Sequence, residues 1–291
     1  MTYKNQKRWL IFGFLLLPVT LLIVFNLYPA GRLFELSFAE WNGISPSYEY
    51  VGLENYVELF EGESIETLAN NLAYMIMHVF MLGLSVILAV ILDGSLRAKS
   101  FIRSVIFMPR ILNIAAIAFM FNFIYSYEQG PINELFRALG MEEYVVSFFP
   151  NSYAINFSLA FITLWASTGF HMVIFLAGLQ SIPDELYEVA AIDGAKYGQK
   201  IRHIMLPNLS VIIQLNIFLA INGAVKTFQL PLILTNGGPA NRSSTFVFQT
   251  IQTAFENREY GLAAAMGVFA TIVILTVVAV QRLFTARNQE A

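Results

Sequence analysis

The chain has 291 residues, of which 57% are hydrophobic and 13% charged, and its formal net charge is −3. A soluble domain of this size carries about twice that charged fraction, so composition excludes an ordinary soluble protein and points to one held in lipid. Cysteine is absent, which also excludes disulfides, thiolate zinc sites and thiol catalysis.

Residues 1–8 are basic, but the following apolar run is long enough to span and lacks a small-residue cleavage site, so no cleavable signal is expected. About 20 apolar residues rising 1.5 Å each cross the hydrocarbon core. On that measure the uncharged intervals predict six spans, at about residues 9–30, 68–92, 104–125, 153–179, 208–230 and 260–281. Pro18 falls inside the first, where lipid tolerates a kinked helix. The uncharged stretch from Tyr144 to Pro183 is too long for one helix; Pro150-Asn151-Ser152 divides it into an interfacial piece and the fourth span. The expected fold is all-α and polytopic, a single transmembrane domain over residues 1–291 with no repeat and no separate soluble domain.

Basic residues set the orientation. One side receives Lys4, Lys7, Arg8, Arg97, Lys99, Arg103, Lys196, Lys200, Arg202, Arg282 and Arg287, whereas the other holds only Arg32, Arg137, Arg242 and Arg258. Both termini and the loop at 181–207 are therefore expected to be cytoplasmic. The first outer loop is acidic, with Glu35, Glu40, Glu49, Glu54, Glu58, Glu61, Glu63 and Glu66. Two readings stand for it: a solvated face, or a surface for a partner outside the membrane.

The loop at 181–207, SIPDELYEVAAIDGAKYGQKIRHIMLP, is the longest strongly polar segment between two apolar runs. Ser181 is placed to cap a helix, Pro183 suits a first turn, and Leu186, Val189 and Ala190 recur at helical spacing. Gly194 falls where a left-handed residue ends a helix. A second, basic helix over residues 196–205 is expected to stop at Pro207. Glu188, Ala190, Gly194, Ile204, Leu206 and Pro207 fit the spacing E-A-A-x-x-x-G-x9-I-x-L-P, with Val189 in place of the first alanine. That pattern resembles the cytoplasmic signature of the membrane subunits of binding-protein-dependent ABC importers. The flanks FLAGLQSIPDELYE and KTFQLPLILTNGGPA resemble the sugar-permease branch, and the likeness runs over roughly residues 9–284.

The resemblance implies a type I importer permease in a prokaryotic cytoplasmic (inner) membrane. It implies four kinds of partner: a second homologous permease, two ATP-binding subunits, an extracytoplasmic solute-binding protein, and a sugar or oligosaccharide as solute. Coupling to the ATPase falls on Leu186, Glu188, Val189, Ala190, Asp193, Gly194 and Pro207, with Glu188 facing a basic group and Gly194 setting the angle between two short helices. The segment Thr235-Asn236-Gly237-Gly238-Pro239 is a turn as bare chemistry and, by resemblance, an outer loop close to where the solute-binding protein docks.

No catalytic signature accompanies these features. There is no G-x-x-x-x-G-K-[ST] and no H-E-x-x-H, and His78, His171 and His203 are scattered, so neither cofactor, metal nor intrinsic ATPase activity is expected. The basic residues suggest no nucleic-acid surface. No Asp or Glu lies well inside a span, which disfavours a secondary carrier coupled to protons or sodium. Two basic residues do lie inside. Arg110, about 10 Å deeper along a helix than Arg103, either snorkels or pairs with carbonyls loosened by Pro109, or it contacts solute or a partner subunit. Another solute class, such as a polyol or a glycerol phosphate, is the alternative to a sugar, and a pore-facing Arg110 would favour an anion. Asn222, Lys226 and Gln229 stand at i, i+4 and i+7, one face of the fifth helix, with Asn216 on another. That stripe is either a solute path or interhelical glue. Trp165, near Thr163 and Thr168, is either a stacking platform for a sugar or ordinary packing.

Overall fold

The computed structural model describes residues 3–62, 64–94, 96–149 and 154–289. Glu63, the divider expected at 150–152 and the expected start of the fourth span at Tyr153 lie outside those residues. In chain order the helices are α1 (Tyr3–Leu22), α2 (Tyr28–Leu36), α3 (Glu54–Glu61), α4 (Thr67–Asp93), α5 (Lys99–Phe107), α6 (Ile114–Ile124), α7 (Pro131–Ala138) and α8 (Ala154–Leu179). They continue as α9 (Asp184–Ile192), α10 (Tyr197–Lys200), α11 (Leu206–Asn208), α12 (Ser210–Val225), α13 (Gln229–Leu234), α14 (Phe246–Phe255) and α15 (Tyr260–Gln289). Among the described residues strand is confined to a short hairpin, β1 (Ala39–Glu40) against β2 (Glu49–Tyr50), with Ala39 opposite Tyr50.

Among the described residues five stretches are long and apolar enough to cross a membrane: Lys7–Leu36, Thr67–Asp93, Ala154–Leu179, Ser210–Leu234 and Tyr260–Arg282. The first runs past the expected end at residue 30, because a π turn at Ile23–Leu27 joins α1 to α2 without a break. The third expected span, 104–125, is not one helix. Lys99–Ile111 and Ile114–Ile124 meet at a bend of 98°. Pro109 has no N–H to continue the ladder, and the Asn113 side chain accepts from Ala115 N at 2.8 Å to start a new helix. The fifth, 208–230, is also interrupted, since α12 stops at Val225 and α13 begins at Gln229.

The chain divides into two compact units, Met1–Ile65 with Thr250–Ile272, and Glu66–Gln249 with Val273–Ala291. In the first, buried Asn55 donates to the carbonyls of Ser37 and Ala39, both at 3.0 Å, and so ties α3 to the hairpin. In the second, α4 and α8 pack along each other and carry a buried cluster near each end. One gathers Tyr74, Phe121, Ile155, Leu159 and Leu230. The other gathers Leu92, Met172, Phe175, Leu179, Met205 and Leu209. Apolar burial gives little drive between helices in lipid, so close approach has to supply it. Gly169 provides one such approach, because a Cβ there would stand 2.2 Å from the carbonyl oxygen of Ile106 on α5.

Candidate functional site

The loop at 181–207 forms a compact helix–turn–helix. Its first helix, α9, begins at Asp184 with Asp184 and Glu185 in the first turn, where carboxylates oppose the positive helix end. Ser181 does not cap it. The Ser181 hydroxyl donates instead to Gly178 O at 2.7 Å and closes the end of α8, while Pro183 occupies the N-cap. The α9 surface is a row of apolar side chains beside acids: Leu186, Val189 and Ile192 are 43%, 57% and 86% exposed, and Glu188 is exposed with them.

Gly194 takes φ +74°. Its N–H bonds Ala191 O at 3.1 Å and the Ala195 N–H bonds Ala190 O at 2.8 Å, the pair of contacts that closes a Schellman turn after Asp193. No atom lies within 4 Å of where a Cβ would stand, so backbone conformation and not crowding calls for glycine here.

The second helix does not stop at Pro207. A π turn at Ile201–Met205 precedes α11, and Leu209 N donates to Met205 O at 3.0 Å, carrying the chain into α12. The change of bonding register places the proline in the first turn of α11, where no N–H is needed. Helical turns thus run from residue 197 to 225, with a hydrogen-bonded turn at Leu209 joining α11 to α12. Lys200 Nζ donates to Tyr187 O, and Met205 and Leu209 are buried among the ends of α4 and α8. The loop is rooted in the core at one end and bare at α9.

At the other end of α12 lies a cavity of about 400 Å³, lined by Arg110, Thr163, Ser167, His171, Lys226 and Gln229 among others. The structure therefore brings Arg110, Lys226 and Gln229 together, by a route different from the expected stripe. Lys226 is the C-cap of α12 and Gln229 opens α13, so the two stand on either side of a break instead of on one helical face. Asn222 does not line the cavity; its amide donates back to Phe218 O at 2.9 Å. Trp165 does not line it either and stacks edge-on against Phe121 at 5.4 Å. Arg110 sits in the 3-10 turn Met108–Ile111 with its guanidinium 5.0 Å above the Phe170 ring. His171 Nδ1 is 2.6 Å from Asn216 Oδ1, a contact between α8 and α12, and His78 Nδ1 is 2.7 Å from Tyr74 O.

The residues that hold this break open are ones sequence reasoning missed. Asn71 of α4 donates to Ala224 O at 2.9 Å and accepts from Phe246 N at 3.1 Å, and the Thr245 hydroxyl donates to Thr227 O. Asn70 donates to Ser244 O at 2.8 Å, and Asn156 reaches both Asn70 and Arg242 O. The glycine turn expected at 235–239 is tied down from the following residues: Ser243 donates to Gly238 O at 2.8 Å and Ser244 to Gly237 O at 3.4 Å. Polar Asn70, Asn71 and Asn156 near the ends of apolar spans were the available signal.

The profile described as "Binding-protein-dependent transport system inner membrane component" matches residues 81–289, most of this second unit and beyond it. The chain belongs to that family. The permease is 31% identical to the "Probable ABC transporter permease protein YurN" of Bacillus subtilis, over 98% of this chain and 99% of that one. It is 31% identical to the arabinooligosaccharides transport system permease protein AraP of the same organism, over 88% of this chain and 82% of AraP. A crystal structure of a bacterial ABC transporter involved in import of the acidic polysaccharide alginate has the same fold, with a TM-score of 0.85 at 22% identity over 98% of both chains. The protein is thus a multi-pass, inner-membrane permease of a binding-protein-dependent ABC transporter, a transport subunit and not an enzyme.

Proposed function

We propose that this permease, with a second homologous permease, forms the path for a sugar or oligosaccharide delivered by a solute-binding protein, and that two ATPase subunits drive it through the loop at 181–207. Six spans with both termini cytoplasmic fit the basic-residue asymmetry, the bent α5–α6 pair serving as the third. The observation that carries the reading is the helical run from residue 197 to 225. It begins beside the exposed α9 and ends at the polar cavity, so a push on one end is carried by hydrogen-bonded backbone to the other.

Coupling would work by linkage. An ATPase pair that grips Leu186, Val189 and Ala190, with Glu188 meeting a basic group, favours one arrangement of the spans when it closes on ATP. Solute delivery and ATP turnover must then influence each other reciprocally. The Schellman turn at Gly194, Asp193 before it and Pro207 beyond it fix the angle at which α9 presents itself. The relative AraP, named for arabinooligosaccharides, supports the solute class. The cavity offers hydroxyl and amide groups of the kind sugars require.

Reconstituted complexes test it. Uptake into proteoliposomes should require ATP at the ATPase side and loaded binding protein at the other. Uptake by the permease alone along a proton or sodium gradient would overturn the proposal.

A further inference from the structure

Arg110 and Lys226 come from different interruptions of different helices, yet line one cavity. No carboxylate lines it, and among the described residues neither cation is paired with an acid; the two ion pairs found are Arg32–Glu35 and Arg137–Glu134. Of the helix segments around it, Lys99–Ile111, Ile114–Ile124, Ala154–Leu179 and Ser210–Leu234 contain no Asp or Glu, and α4, which contributes His78, has its one acid, Asp93, at its last residue. Cations taken out of water are costly unless something of opposite sign meets them. Local causes account for part of this. Lys226 gains from the negative end of α12, and Arg110 rests on Phe170. Neither explains why both heads share one space of about 400 Å³, a volume in the range of small-molecule sites, with Thr163, Ser167 and Gln229 as further hydrogen-bonding groups.

We propose that the solute carries a negative charge: a polyhydroxylated ligand with a carboxylate or phosphate group, met by the planar fork of Arg110 and the point charge of Lys226. Thr163, Ser167 and Gln229 would take its hydroxyls. This rests on the reading that the cavity belongs to the solute path.

The chain has no cysteine, so Ser167→Cys places one thiol in the cavity of the assembled complex, the other subunits being made cysteine-free. A sulfonate-bearing methanethiosulfonate should modify it faster than the trimethylammonium reagent, and Arg110→Gln with Lys226→Gln should shrink that preference by about tenfold. Arg110→Lys should keep most of it, which separates charge from misfolding. Trigalacturonate or glucose 6-phosphate should slow the modification, telling carboxylate from phosphate, while maltotriose should not. An unaltered reagent preference in the double variant means that partner acids neutralise the site, and the charge proposal fails. Equal protection by maltotriose also overturns it while leaving the solute-path reading intact. If no sugar protects, and modified Ser167→Cys complexes still transport at full rate, the cavity lies off the path and both fall.

Discussion

Two interruptions of helix in the second unit invite comparison. At Gly194 the chain turns between α9 and α10, and at 226–228 it turns between α12 and α13. The first is written locally. A glycine with φ +74° supplies the left-handed residue, neighbouring carbonyls accept the freed N–H groups, and among the described residues the space where a Cβ would stand is open. The second has neither glycine nor proline among Lys226, Thr227 and Phe228. Its loose carbonyls are met by Asn71 and Thr245, the former more than 150 residues away in sequence. A turn that joins an exposed helix to a core can be rigid by itself. A break beside a cavity is held by its walls, so its geometry depends on how those walls sit.

The largest expected effect comes from breaking the wall-held turn. Asn71→Leu removes donors to Ala224 and Val225 and the acceptor of Phe246 N, all in a buried site. Leaving such groups unpartnered should cost about 2–4 kcal/mol. The thermal midpoint of the purified permease should fall, and amide exchange at 224–230 should rise far more than in α9. Equal protection in variant and parent would mean that the break is local after all.

Gly194→Val should cost about 1–3 kcal/mol of backbone strain. Since the site is exposed and open, assembly should persist while loaded binding protein no longer stimulates ATP turnover. Gly194→Asn, which visits the same conformation more readily, should retain most of that stimulation. A Val variant with full stimulation would remove the coupling role from this turn.

A smaller effect separates the cavity from the expected stripe. Among the described residues the Asn222 side chain bonds its own helix at Phe218 O, so Asn222→Leu should leave uptake within about twofold of the parent. Gln229→Leu, in the cavity lining, should reduce uptake several times more than that. Equal losses from both would restore a continuous fifth-helix face.

The smallest concerns the first unit, where the acidic outer loop is also not what its composition alone implies. Burial, and then the carboxylates of Glu259, Glu54 and Glu40, push the Glu58 carboxyl above its ordinary range. The folded form therefore holds this proton more tightly than the unfolded chain, and the contribution to stability is lost as pH rises from the ordinary carboxyl range through the raised value. Glu58→Gln should gain in thermal midpoint over the parent as pH rises, and the gain should vanish in acid. A difference independent of pH would show Glu58 to be an ordinary solvated side chain.

The sequence by itself determined what depends on neighbours along the chain. Long uncharged intervals make spans because a helix is the cheapest way to satisfy backbone groups in lipid. The Glu188 to Pro207 spacing and the glycine turn are likewise local, and the bare apolar face of α9 follows from helical periodicity. Pro109 and Asn113 were local signals too, but an uncharged run hides a break that charge-counting does not test. Only the tertiary structure decided where the third and fifth spans are interrupted, and hence that Arg110, Lys226 and Gln229 share a cavity while Asn222 and Trp165 do not. The reason is physical. A helix whose last carbonyls are met by Asn71 and Thr245 can end anywhere those donors reach, and that reach is set by how α4 and the 235–245 loop pack against α12.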